Sequence, residues 1–176
     1  MFKFKRALFC LPLFIPLCVR GEEIKYGIGA TSNHDVISLY APITKGDLFV
    51  EPTLRFSETR SSNVYGEADY KSTTVGVGIF NRTKKGENTY VYGGGRVGVI
   101  NVKSSYSDSW GAYYSKTHGY FIAPSVGAEY EFANGFSIGL ELAYVFTKLK
   151  YEWNGAQIST SKSFDAKKDL IARYRF

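Results

Sequence analysis

Three sets of residues in this chain have types and spacings that chemistry uses. Gly93, Gly95 and Gly98 satisfy G-x-G-x-x-G, the dinucleotide fingerprint, whose glycines let the backbone approach a pyrophosphate held at a helix N-terminus. The residues that follow, Val97, Val99 and Asn101, continue a strand pattern. No helix opens there, and nucleotide binding is not expected. Two histidines are present: His118, with Ser115 three residues before it and Tyr120 two after it, and His34, near Ser32 and Asp35. A histidine beside a hydroxyl and a carboxylate can activate a nucleophile, but the same residues are ordinary loop chemistry, and solvated loop histidines are the expected reading. Glu67, Asp69, Asp108 and Asp165 are hard oxygen donors of the kind that collect around Ca²⁺. Two distant histidines and no cysteine beyond residue 18 give a transition metal nothing to bind, so neither a metal centre nor a cofactor is expected.

The elements that would position such groups begin after a separate leader. Lys3, Lys5 and Arg6 precede an apolar run from Ala7 to Val19 that is broken by Pro12 and Pro16. That run is too short to cross a bilayer, which needs about 20 residues, and it has the form of a secretory signal. Val19 and Gly21 meet the small-residue rule for cleavage, which predicts a signal peptide over 1–21 and a single mature domain over 22–176. Both cysteines, Cys10 and Cys18, fall in the leader, and neither Phe9 nor Leu17 before them is the small residue a lipoprotein signal wants. Loss of Lys3, Lys5, Arg6 and Arg20 takes the 22 basic residues to 18, against 16 acidic ones. The basic charge of the whole chain is therefore poor support for a nucleic-acid partner. No basic cluster with interleaved stacking aromatics replaces it.

From Glu23 onward apolar residues recur at every second position, with no helical period, and the reading is all-β. Eight strands are predicted, over 23–31, 36–43, 48–58, 70–81, 89–102, 119–132, 136–150 and 165–176. In the sixth, Tyr120, Ile122, Val126 and Tyr130 alternate with Phe121, Ser125, Gly127 and Glu129. In the seventh, Phe136, Ile138, Leu140, Leu142, Tyr144 and Phe146 alternate with Ser137, Gly139, Glu141 and Ala143. Short connections at Lys45-Gly46-Asp47, Arg82 to Asn88 and Ala133-Asn134-Gly135 alternate with polar stretches around 59–69, 103–118 and 151–164, which read as long loops. Short turns at one end and long loops at the other are the pattern of an eight-stranded antiparallel up-and-down transmembrane β-barrel. The first loop, near Ser32 to Asp35, is the short exception.

Alternation leaves open which face is inside, and composition decides it. The polar face carries Gly27, Gly29, Gly76, Gly78, Gly94, Gly98, Gly127 and Gly139, small residues that relieve crowding in a narrow lumen. Aromatics such as Tyr26, Tyr130, Phe132, Phe136, Phe146, Tyr174 and Phe176 fall near the ends of the apolar faces, where interfacial girdles belong. By parity the inward charges are Lys25, Arg55, Arg96, Arg173 and Arg175 against Glu51, Glu129, Glu131, Glu141 and Asp169. Buried charges are costly unless paired, so this balance predicts a salt-bridge plug centred on Arg96, Arg173, Glu129 and Glu141, with Glu51 and Arg55 within it.

On these features the chain resembles the small OmpA/OmpX-like outer-membrane barrels, also described as porin-family or Ail/Lom-like proteins. The resemblance spans 22–176 and rests on the terminal Phe176 with Tyr174, Ala172 and Leu170 on one face, and on the Gly93-Gly94-Gly95-Arg96-Val97-Gly98 strand. It implies location in a bacterial outer membrane, lipid and lipopolysaccharide as surroundings, and a C-terminal signal read by the barrel-insertion machinery; the family includes adhesins, structural proteins and a few enzymes, and a non-enzymatic protein is the expected reading. Envelope structure and surface contact or adhesion would be its work. Tyr106, Trp110, Tyr113 and Tyr114 in the third long loop are candidates for meeting a host or surface ligand. The alternatives are a lipid-modifying enzyme at the outer rim, and a small pore. If Phe176 carries the insertion signal, its deletion lowers the yield of folded barrel, read as loss of the heat-dependent gel shift; equal folded yield contradicts the assignment.

Overall fold

A computed structural model of the chain describes residues 23–33, 36–63, 66–108, 111–153 and 156–176. The predicted signal peptide, the mature start near Glu22, His34 and Trp110 lie outside the described residues. The strands are β1 (Ile24–Asn33), β2 (Val36–Tyr40), β3 (Ile43–Lys45), β4 (Leu48–Asn63), β5 (Gly66–Lys84), β6 (Thr89–Asp108), β7 (Gly111–Glu131), β8 (Phe136–Trp153) and β9 (Ala156–Arg175). Both β2 and β3 pair with β1 on one side and β4 on the other. They are one strand interrupted at Ala41 and Pro42, where proline has no N–H to give the ladder; Ala41 still donates to the Pro52 carbonyl at 3.0 Å. The sheet is antiparallel throughout and closes through β1 and β9, with Gly27 opposite Arg175 and Ala30 opposite Ala172. Tyr26 and Phe176 exchange backbone hydrogen bonds of 3.2 and 2.8 Å at the seam. The result is an eight-stranded up-and-down barrel.

The start of β1, the end of β9 and the tight turns share one end of this barrel. Gly46 and Gly135 take positive φ, 56° and 81°, which only residues without a Cβ adopt freely in such turns. The other end differs from expectation. The described residues of the stretches 59–69, 103–118 and 151–164, read as loops, are strand. β4 and β5 pair up to Asn63 and Gly66, β6 and β7 up to Asp108 and Gly111, and β8 and β9 up to Trp153 and Ala156. Their Ser, Thr, Tyr and Lys content marks strands with water on their outer faces, and β-branched and aromatic residues among them favour the pleated backbone. The first hairpin does not follow the others upward. The β1–β9 ladder stops at Ala30 and Ala172 and the β2–β4 ladder at Val36 and Ser57. Above it, among the described residues, β9 pairs only with β8 and β4 only with β5. The wall is thus closed at its base and notched above, where six strands, β4 to β9, continue.

The exterior is apolar. Ile28, Ile37, Val75, Ile79, Val97, Ile122, Val126, Leu140, Leu142 and Leu170 all project outward and are exposed. On β8 the band runs ten steps from Phe136 to Phe146; at about 3.3 Å per residue and a tilt of about 40° it stands about 25 Å tall, the height of a hydrocarbon core crossed by a barrel. Tyr26, Tyr130, Phe132, Phe136, Tyr174 and Phe176 edge it near the turns, and Tyr120, Tyr144, Phe146 and Phe164 edge it above. No helix among the described residues is long and apolar enough to cross a membrane; the strands supply the crossing surface.

Inside the base three rings pack together: Phe49 stacks on Phe80 at 4.8 Å, and Tyr92 meets both edge-on at 5.4 and 5.5 Å. All three are buried. Glycine makes their room, since a Cβ at Gly127 would fall on the Tyr92 ring. Gly127→Val is therefore expected to lower stability by about 1–3 kcal/mol, read as an earlier urea midpoint in micelles; an unmoved midpoint would show that the ring has space to yield.

Candidate functional site

Strand alternation sends odd-numbered residues of β4, β7, β8 and β9 and even-numbered residues of β5 and β6 into the lumen. Closure then brings together charges far apart in sequence. Glu51 of β4, fully buried, accepts from the Arg96 guanidinium of β6 at 2.7 Å and from Arg173 of β9 at 2.6 and 3.3 Å. Arg96 also donates to both oxygens of Glu141 on β8, at 3.0 and 2.9 Å, and to Thr53 at 3.2 Å. Glu141 accepts a further bond from the Tyr92 hydroxyl at 3.2 Å. Arg173 reaches Glu129 at 3.3 Å, and Arg175 grips both Glu129 oxygens at 2.9 and 3.0 Å. Arg82 lies 2.8 Å from Glu129 and bonds Glu131.

The guanidiniums also cap the ring cluster, Arg96 over Phe80 at 4.7 Å and Arg173 over Phe49 and Tyr92 at 5.5 and 5.3 Å. Cation–π contact strengthens where water is excluded. Arg55, placed higher, donates to Ser38 at 2.8 Å and lies 3.6 Å from Asp169. These groups fill the lower lumen from side to side, as an eight-stranded ring allows.

The expected charge balance changes in two members. Lys25 is exposed at the rim and joins no interior pair among the described residues, because the last turn of the ladder lies open to solvent. Arg82 takes its place. Sequence reasoning misses it because β5 continues through it to Lys84, where composition suggests a turn. Its shared parity with Gly76, Gly78 and Phe80 is the available signal.

Above the plug the polarity of the two faces exchanges. On β8 the outer face passes from Phe146 to Lys148 and Lys150, while the inner face passes from Glu141 through Ala143 and Val145 to Leu149, Tyr151 and Trp153. The inner faces of β6, β7 and β8 there form a concave groove lined by Val102, Ser104, Tyr106, Tyr113, Thr117 and Trp153, with a volume of about 450 Å³. Tyr106 stacks on Tyr113 at 6.3 Å, and Tyr113 lies 5.9 Å from Trp153. Of the aromatics assigned to a loop, Tyr106, Tyr113 and Tyr114 thus stand on strands, and Tyr114 points to the opposite, outer face, where it is exposed. Trp153 completes the cluster. Its inward parity at the head of β8 is the signal that discloses it.

Among the described residues, the rim chemistry that a histidine, a serine and carboxylates could supply does not assemble. His118 and Ser115 differ in parity and project to opposite faces of β7; His118 instead approaches Glu152 at 3.6 Å on the outside. Asp69 pairs with Lys71 at 3.2 Å on β5, while Asp165 is on β9 across the ring. Leu170, Ala172, Tyr174 and Phe176 line the outer face of β9, with Phe176 exposed at the seam.

No protein-family model and no curated protein matches the sequence. Solved structures do match. A major outer membrane protein from Thermus thermophilus aligns over 89% of this chain and 100% of its own, with a TM-score of 0.62 at 14% identity. Neisserial surface protein A aligns over 89% of this chain and 99% of its own, with a TM-score of 0.57 at 11% identity. The fold is that of a small outer-membrane β-barrel. Such a barrel reverses the polarity of a soluble one, and here the reversal is confined to the height of the apolar band.

Removing one member of the ion network leaves its partners charged and buried. Arg96→Met is expected to cost about 3–5 kcal/mol, because Glu51 and Glu141 both lose a donor. An unchanged urea midpoint would count against the network as the base's organising contact.

Proposed function

We propose that this chain is a non-enzymatic barrel of the bacterial outer membrane that contributes to envelope structure and makes surface contacts through its raised upper sheet. The observation that carries this reading is the vertical division of the lumen: a filled ionic base below, an uncharged aromatic groove above. A base crossed by Arg96 and Arg173 from wall to wall leaves little room for a pore. His118 and Ser115 face opposite sides of β7, so these two do not form a dyad for chemistry at the rim.

Outer-membrane lipid and lipopolysaccharide are the surroundings that an apolar band edged by aromatic girdles fits. The start of β1 and the tight turns then face the periplasm, and Phe176 at the seam is available to the barrel-insertion machinery. The groove faces away from the cell. Tyr and Trp offer rigid contact area at low entropy cost, which suits a host or surface ligand.

Replacing Tyr106, Tyr113 and Trp153 together by Ser should abolish cell-surface attachment while the heat-dependent gel shift persists. Attachment equal to the unaltered protein would exclude the groove. The mass spectrum of lipid A should be the same in cells with and without the protein, and a changed acyl pattern would restore the enzymatic reading.

A further inference from the structure

Between the ionic base and the aromatic groove lies a second cavity, of about 300 Å³, that surface contact through the groove does not use. Its far wall is apolar, made by Ile100, Phe121, Ala123, Ala143 and Val145 of β6, β7 and β8. Its near side is the notch where β9 parts from β1 and β2. A smaller cavity of about 240 Å³ occupies that notch, and the two share Val36, Arg55, Lys167 and Asp169. The interior therefore continues into the wall of the barrel at the level where the first hairpin ends.

The two halves differ in charge. Arg55, Lys167 and Lys168 face Asp169 around the notch, and Asp165 adds a second carboxylate on the cavity side, which leaves an excess of one cation. Arg55 is engaged with Ser38 and Asp169. Lys167 and Lys168 are consecutive on β9 and so address the two sides of the wall, Lys167 the lumen and Lys168 the exterior, where it lies opposite Leu142 in the apolar band. An anion held at the notch can thus be met from both sides.

We propose that this compartment binds one single-chain amphiphile with an anionic head, a medium-chain carboxylate being the simplest case. The head rests in the notch on Lys167, and the chain lies along the apolar wall of the cavity. A volume of about 300 Å³ is that of roughly ten waters, and accommodates one alkyl chain of about that many carbons but not the several chains of a membrane lipid. The notch opens beside the lipid-facing surface, so the ligand's two parts meet the two environments they require.

The test uses the full mature barrel in phospholipid nanodiscs, with labelled decanoate and decanol as probes and empty discs as the reference for partition into lipid. Uptake of decanoate above the empty-disc level is expected. Ala143→Phe, which fills the cavity and removes no member of the ionic base, should abolish that excess, and Val145→Phe serves the same purpose if the first variant loses its gel shift. Lys167→Gln should weaken decanoate about tenfold, the loss of one charge-assisted contact, and leave decanol unchanged. Uptake no greater than in empty discs, or an excess that the filling variants leave intact, overturns the proposal. Equal loss of decanoate and decanol in Lys167→Gln overturns the placement of the head. Failure of surface attachment through the aromatic groove leaves these readings untouched, since no residue of that groove is altered.

Discussion

The structure depends on keeping Glu51 charged in a place where water cannot reach it. A carboxylate taken out of water costs several kcal/mol unless its oxygens are fully met, and here Arg96 and Arg173 meet them from strands β6 and β9. Glu51 and Arg173 are 122 residues apart. Their contact exists only when β1 has closed on β9, so the ring and the ion network form together. The network extends the same demand outward: Arg96 requires Glu141, and Arg173 and Arg175 require Glu129. Charges drawn from several strands leave the barrel few alternative registers, since a slip of one residue would turn each of them toward lipid.

Packing follows from that arrangement. Large guanidiniums and three rings occupy a lumen only eight strands wide, and the wall must retreat where they lie. Gly78, Gly94 and Gly127 are those places, where any side chain would meet Phe80 or Tyr92 or the backbone beside them. The exterior answers to the opposite requirement, offering Val, Ile and Leu to acyl chains and aromatics to the two interfaces. A base satisfied on both faces is a firm support for the upper strands, and binding surfaces are best placed on such supports.

Much of this is legible in the residues. Glycines sharing parity with charges disclose the reversed polarity, and the terminal Leu170, Ala172, Tyr174 and Phe176 mark an outward face. Other features need the register, which no single segment contains. Arg82 is hidden because its strand runs past the point where composition suggests a turn, and Lys25 misleads because parity says nothing of height. The upper strands read as loops because Ser, Thr and Lys signal water, and water is compatible with either. The separation of Ser115 from His118 depends on 111–118 being strand rather than loop. The notch, finally, is a difference in length between neighbouring ladders, and appears only when the pairs are known.

The exchange of polarity halfway up the strands explains why one sheet can serve two surroundings. Below the upper aromatic girdle the solvent outside is hydrocarbon, and the stable arrangement places Phe136 to Phe146 outward and Glu141 inward. Above it the solvent is water on the outside, and Lys148, Lys150 and Lys162 face it, while Leu149, Tyr151 and Trp153 turn to the concave side, as in a soluble barrel. The inner face thus passes from ions to apolar side chains without a break in the backbone. Just above Glu141 the walls of β7 and β8 carry Ala123, Ala143 and Val145, while Arg55, Lys167 and Asp169 hold the charge on the other side of the same cavity. The cavity lies there because small apolar residues are what a wall can place between an ionic floor and an aromatic mouth.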